Sequence, residues 1–344
     1  MIARKRLTDR SFEQRGRLYR ADGRIAKKPM SPSKRSSPVP PASTQRSGTS
    51  AKTSKATSTP GKVLSPILDQ SEGQTPIKSK DQIMTVDLAS RLSDELFDAL
   101  RNRAPIPLIS ARHPELDIDE AYRISLGVLE RRQADGERLV GKKIGLTAKA
   151  VQQMVGVDEP DFGFLTNAMQ FADGGTVTIA DSMMTPMVEA EIALVLKSTL
   201  PTDGVTPEMV MDATEFAAAS LEIVDTRFDT PKITIVDTVA DNASSALFVL
   251  GKDRVDPREV DLVTMKCELF RNGDKLSQGL GAAVLGSPFI SAAWLANRLG
   301  AFGVALEAGD VVLPGSLVPF APIAAGDTFV AEFEGLGLVS ATFA

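Results

Sequence analysis

The chain has 344 residues, 43% of them hydrophobic, enough to bury a core in one or two domains, and no apolar run approaches the ~18 residues of a membrane span. A single cysteine, Cys267, and a single histidine, His113, exclude an internal disulfide framework and a structural Cys/His zinc site, and they fit a reducing, cytoplasmic compartment. The net charge of −5 averages two unlike parts, because residues 1–62 carry 16 Lys/Arg against 3 acids and leave the remainder near −18.

Residues 1–83 are expected to be a disordered basic tail. The stretch "PMSPSKRSSPVPPASTQRSGTSAKTSKATSTPGK" holds almost no large apolar side chain and cannot offset its ordering entropy. Its Arg/Ser-rich, acid-poor character also fits an organellar transit segment, or sequence upstream of a start at Met84. No nucleic-acid motif or aromatic interleaving accompanies the charge, so nucleic acid is not an expected partner.

From Met84 the pattern becomes globular. Leu88, Leu92, Leu96, Phe97 and Leu100 recur at helical spacing. "PIPLIS" reads as an extended link. "DIDEAYRISLGVLERRQADG" is a second helix, with Asp117 or Asp119 as cap and Gly136 as stop. "RLVGKKIGLT" is strand-like, and "AKAVQQMVG" is a short helix. Beyond Gly163, "GTVTIA", "VEAEIALVL", "LVTMKCELFRNG", "DVVLPGSLVPFAPI" and "DTFVAEFEGLGLVSATFA" read as strands. Helices are expected at Thr206–Val224, turning to strand near its end, and near Pro288–Gly303. This order predicts an α+β fold with a mixed, largely antiparallel sheet.

The chemistry gathers around acids in apolar strands. In "VEAEIALVL", Glu189 and Glu191 are two apart and share one face. Two buried carboxylates that close repel unless a cation joins them, and all-oxygen ligands suit Mg²⁺ or Mn²⁺. An exposed face with two solvated glutamates is the alternative. Glu222, in "AAASLEIVDTR", is a third embedded carboxylate, with an ion pair to Arg227 as its alternative. Lys142 and Lys143 lie between glycines, where a backbone can approach a ligand; a solvated pair is the alternative. Asp161 follows Pro160 and is read at a turn shielded by Phe162, either as a proton shuttle or as a turn cap. Asp241, Asn242, Ser244 and Ser245 either cap the next segment or line a pocket. His113, in "SARHPELD", reads as a surface or packing histidine. "GLGAAVLG" lacks dinucleotide-loop spacing and reads as a tight strand-to-helix crossing.

Together, "GKKIGLTAKAVQQMVGVDEPDFG", "VEAEIALVL", "LEIVDTR", "DTVADNASSALFVLG", "NGDKLSQGLGAAVLGSP", "AAWLANRL" and "GDVVLPGS" resemble the 2-keto-4-pentenoate hydratase family of the fumarylacetoacetate hydrolase superfamily. The resemblance runs from about Met84 to Ala344. It implies a β-roll with flanking helices, in homo-oligomers, acting on small-molecule 2-hydroxydienoates in aromatic meta-cleavage catabolism. It also implies Mg²⁺ or Mn²⁺ on Glu189, Glu191 and Glu222, catalytic roles for Lys143 and Asp161, and substrate binding by Ser244 and Ser245. The sister 4-oxalocrotonate decarboxylases share the metal carboxylates. "GFLTNAM" leans toward them, whereas Asp161 leans toward the hydratases. "PGSLVPFAP" departs from the family's usual text at the pocket rim.

Overall fold

The structure, a computed structural model, describes residues 12–14, 17–19, 80–148, 152, 157, 159–179 and 183–344, with side chains from residue 87 onward. The chain divides into two units, Met1–Glu72 and Gly73–Ala344. In the first, strands β1 (Phe12–Gln14) and β2 (Arg17–Tyr19) pair antiparallel. Of the rest of the expected tail, residues 80–83 are helical and the others lie outside the described residues, as does most of the short helix expected at "AKAVQQMVG".

The second unit opens with helix α1 (Lys80–Asn102), which begins four residues before Met84. The expected extended link then contains a short helix, α2 (Ile109–Arg112). Helix α3 (Ile118–Ala134) starts at Asp117, whose side chain accepts from Glu120 N while Glu120 reciprocates. That capping box satisfies two orphan donors of the first turn. Gly136 follows the last turn at φ +93°, a left-handed position that favours glycine.

Two sheets carry the body. The larger contains β3 (Leu139–Gly145), β4 (Asp161–Thr166), β5 (Gln170–Phe171), β7 (Met187–Leu196), β8 (Thr214–Val224), β9 (Ser245–Leu250) and β12 (Val311–Leu313), in the order β4-β3-β12-β7-β8-β9-β5; β13 (Ala321–Pro322) pairs with β7 off this path. The smaller orders β11 (Asp274–Leu280), β10 (Lys266–Arg271), β14 (Thr328–Phe333), β15 (Gly337–Phe343) and β6 (Gly175–Val177). Most neighbours are antiparallel, while β3–β12, β5–β9 and β6–β15 are parallel. The mixed, largely antiparallel α+β expectation holds.

Two local readings change. The expected helix at Thr206–Val224 is helical only over α4 (Pro207–Ala213) and is strand from Thr214 onward. Its Ala-rich run suits a helix by propensity, but it lies between β7 and β9 and is almost wholly buried. Central-strand packing overrides the local preference. Asp161 opens β4, a fully buried strand, instead of sitting at a turn. Helix α5 (Ile235–Ala240) precedes β9, and α6 (Pro288–Gly300) occupies the span expected for the last helix. The "GLGAAVLG" stretch is the crossing from β11 to α6, through a 3-10 turn at Gly281–Ala283.

Candidate active site

Strand register brings the acids together. Across β7 and β8, Glu189 stands directly opposite Glu222, and Glu191 opposite Ser220. Ligand oxygens of the three glutamates lie within 4.8 Å of one another. Glu191 and Glu222 are fully buried, and Glu189 is half-buried, so the exposed-face alternative does not hold. Glu222 does not pair with Arg227 either. That guanidinium binds the Asp241 carboxylate and the Asp225 carbonyl instead.

On the neighbouring strands, Lys143 and Asp161 meet the cluster. Lys143 is 2% exposed, and its Nζ stands 3.3 Å from Glu222 Oε1. Lys142 is also buried, but its Nζ bonds Asp310 Oδ2 at 2.6 Å. The two lysines therefore serve opposite faces of β3, and neither is solvated. Gly145 lies opposite Asp161 in the register. A Cβ on Gly145 would stand 2.5 Å from Asp161 Oδ1 and 3.2 Å from Lys143 Nζ. The missing side chain is what lets these two groups approach.

The electrostatics are those of a cluster with too many carboxylates. Burial, then the neighbouring Glu222 charge, pushes Glu189 up to about 8. The same causes in the same order hold Glu191 well above the usual carboxylate range. Burial also raises Asp161, against the Lys143 charge that lowers it. For Lys143, burial alone would favour the neutral amine. Glu222, Asp161, Glu189 and Glu191 outweigh it and hold the ammonium above its ordinary value.

Both Glu222 oxygens and Glu191 Oε1 find no hydrogen-bond partner among the described residues. Buried polar atoms without partners are costly and call for an explanation. An all-oxygen donor set with free lone pairs fits a hard divalent cation. The other Glu191 oxygen, Oε2, accepts Gly315 N at 2.9 Å. Gly315 has φ +118°, and a Cβ there would press on Thr147 at 2.4 Å. The divergent "PGSLVPFAP" stretch thus supplies an amide to the cluster and Phe320 to the cavity wall.

The cluster opens into a cavity of about 1090 Å³ lined by Lys143, Asp161, Glu189 and Ser244, among others. Ser244 and Ser245 part company. Ser244 lines this cavity, whereas Ser245 is buried beside a separate small void with Arg132 and Arg227. Asn242, Ala243 and Ser244 all have positive φ, at 56°, 49° and 54°. Non-glycine residues there carry strain, and Asn242 holds the turn by bonding both Phe164 N (2.7 Å) and Phe164 O (3.0 Å). His113 lies outside the cavity, 3.3 Å from Glu115 Oε1. Gly145, Gly315, Phe320 and Thr238, which also lines the cavity, were not singled out in the sequence; the glycines flanking the lysines and the divergent "PGSLVPFAP" were the available signals.

Comparison with known proteins follows the same outline. The family model described as "Fumarylacetoacetate (FAA) hydrolase C-terminal" matches residues 138–344. A 2-hydroxyhexa-2,4-dienoate hydratase of Comamonas testosteroni is 48% identical over 249 residues, covering 72% of this chain and 94% of that protein. A 2-hydroxypent-2,4-dienoate hydratase of Pseudomonas putida is 50% identical over 222 residues, covering 64% of this chain and all of the relative. Among solved structures, the 4-oxalocrotonate decarboxylase from Pseudomonas putida G7, complexed with magnesium and adipate, superposes with a TM-score of 0.73 at 34% identity, covering 75% of this chain and 98% of that one. No helix among the described residues is long and apolar enough to cross a membrane. The match over more than half of the chain, with relatives spanned almost end to end, makes this chain a member of the fumarylacetoacetate hydrolase family.

Proposed function

We propose that this protein is a metal-dependent hydro-lyase that adds water to 2-hydroxypenta-2,4-dienoate or a close homologue, giving a 4-hydroxy-2-oxo acid. The observation that carries the reading is the convergence of Lys143 and Asp161 on three clustered glutamates, two with unpartnered oxygens and the third lining a cavity. Glu189, Glu191 and Glu222 would hold Mg²⁺ or Mn²⁺. When bound, that ion supplies Lewis-acid stabilisation of the enolate form of a 2-oxo acid.

The chain's own residues supply the rest. Lys143, kept charged by its carboxylate neighbours, faces the negative charge that develops on the C2 oxygen. Asp161 has a raised proton affinity, which suits a group that gives a proton and takes one back. It delivers a proton to C5 as the C2 hydroxyl releases its own to solvent, giving a 2-oxo-3-enoate. It then takes a proton from water as the water oxygen bonds to C4, and C3 takes a proton from solvent, replacing the one the C2 hydroxyl released. One water is added in total. Ser244, on the cavity wall, orients the substrate.

The decarboxylase reading has its own support in the neighbour complexed with magnesium and adipate. The "GFLTNAM" clue, however, does not reach the cavity. Asn167 is exposed, and its Oδ1 accepts Arg138 N at 2.6 Å. Asp161 lines the cavity, and so the chemically competent difference favours hydration. The test is a UV assay of 2-hydroxypenta-2,4-dienoate with Mg²⁺ or Mn²⁺, beside 4-oxalocrotonate with carbon dioxide detection. Metal-dependent loss of the dienoate signal without gas is expected. Gas from the dicarboxylate, with the dienoate untouched, would make the enzyme a decarboxylase.

A further inference from the structure

The cavity that Glu189 and Asp161 line has mainly apolar walls elsewhere, interspersed with Thr185, Thr226, Thr230 and Thr234. Strands β7 and β8 form the floor, where residues two apart share a face. The Glu189–Glu222 rung is therefore followed on that face by the Met187–Val224 rung, about 7 Å farther along. Phe228, Ile233, Phe320 and Ile323 line the same cavity. Strand β13 sets the last two, because Ala321 and Pro322 pair with Val188 and Met187: Ile323 follows past the Met187 rung, with its N–H on Pro186 O, and Phe320 precedes it on the Glu189 side.

A 2-hydroxydienoate held at the glutamates by its C1 carboxylate and C2 oxygen spans only about 5 Å from C1 to C5 at ordinary bond lengths. Its C5 ends over the Met187–Val224 rung and leaves the apolar wall uncovered. A cavity of about 1090 Å³ is also large for a five-carbon acid, since pockets of roughly 300–1,000 Å³ take drug-sized ligands. The charged residues lining the far half, among the described residues, are Asp229 and Lys232, of opposite sign and both exposed. Among the described residues, no buried cation lines that half to meet a second carboxylate.

We infer that the distal half of the cavity is a subsite for an apolar substituent on C5 larger than methyl, either an alkyl chain of three or more carbons or an aryl group. Ile323, past the Met187–Val224 rung, is its specificity-determining residue. The inference rests on the hydratase reading for which end of the substrate the glutamates hold.

Binding of saturated 2-oxo acids tests it without turnover. Calorimetry with Mg²⁺ would follow the series from 2-oxopentanoate to 2-oxodecanoate, beside 2-oxo dicarboxylates of matching length. Each added methylene should tighten binding about two- to fourfold until the wall is covered, and the terminal carboxylate should cancel the gain. Ile323→Asp should flatten the dependence on length, and Ile323→Leu should keep it. Affinity that stays flat or falls with tail length, or that favours the dicarboxylates, overturns the subsite. If the parent dienoate is turned over and affinity ignores the tail, this inference alone fails. If affinity climbs with the tail and no dienoate is turned over, the subsite stands and the hydratase reading fails.

Discussion

At Asp161 one carboxylate is asked to do two jobs, and its surroundings show how. Burial raises its proton affinity while Lys143 pulls it back down. Oδ1 has no hydrogen-bond partner among the described residues, and Asp161 lines the cavity. Asp161→Asn keeps the volume and removes the exchangeable proton. Hydration should slow by about 10²–10⁴-fold, the usual contribution of a positioned acid–base group, with metal affinity retained. Glu191→Gln should do the reverse, weakening Mg²⁺ binding and turnover together; full metal-dependent activity in that variant would remove Glu191 from the ligand set. Gly145→Ala probes the approach of the two strands. Its methyl would stand 2.5 Å from Asp161 Oδ1, closer than atoms can pack, and it would push the carboxylate away from Lys143. A loss of at least about tenfold in kcat is expected, since small misplacements of reacting groups carry large penalties. A circular dichroism spectrum matching the parent would show that the fold survived.

At the scale of elements, the left-handed turn before β9 holds the cavity wall in place. Asn242 bonds Phe164 on β4 as a strand neighbour would, and Asn tolerates the left-handed region better than most residues. Gly163, beside Phe164, leaves room for it, since a Cβ there would meet Asn242 at 2.6 Å. Asn242→Leu leaves a buried N–H and a buried carbonyl unpaired, at a cost of about 1–3 kcal/mol each at most. Urea denaturation should show that loss, and Ser244, two residues on, should shift enough to raise KM. The Asp-Asn-Ala-Ser-Ser cluster was legible as polar in apolar surroundings, but not as a strained turn, because nothing in its local spacing announces Phe164 as partner. Strand β7 was legible from its β-branched run and its paired acids. Strand β8 was legible only toward its end, since alanine is a helix former and only the neighbours on both sides make the Ala-rich run a strand. Asp161 was singled out for its chemistry while its strand was missed, because "DFGFLT" carries turn residues as well as apolar ones. Phe228 and Phe320 come from segments far apart in sequence, and their shared cavity follows only from the register of β13 on β7.

For the molecule as a whole, the carboxylate cluster links metal, pH and stability. Without a metal ion, the folded protein holds protons on Glu189 and Glu191 that an unfolded chain would release. Glu189 moves from an ordinary 4.5 to about 8, and Glu191 moves in the same direction. A carboxyl group whose folded pKa is raised contributes its stability below the unfolded value and loses it as pH climbs through the folded one. Lys143 stays charged throughout that range, because its own value is raised above the ordinary lysine value. The chelator-treated protein should therefore lose stability as pH climbs from about 4.5 through about 8. Mg²⁺ reverses the sign of the argument, because it binds the ionised carboxylates and releases their protons. Its binding should tighten across the same window, and the increase in Tm it gives should grow with pH. Calorimetric scans at pH 5, 6.5 and 8, with EDTA or with excess Mg²⁺, separate the two curves. Curves that diverge as pH rises support carboxylates held as metal ligands. Parallel curves would mean that Mg²⁺ binds elsewhere, and that Lys143 alone balances the three glutamates.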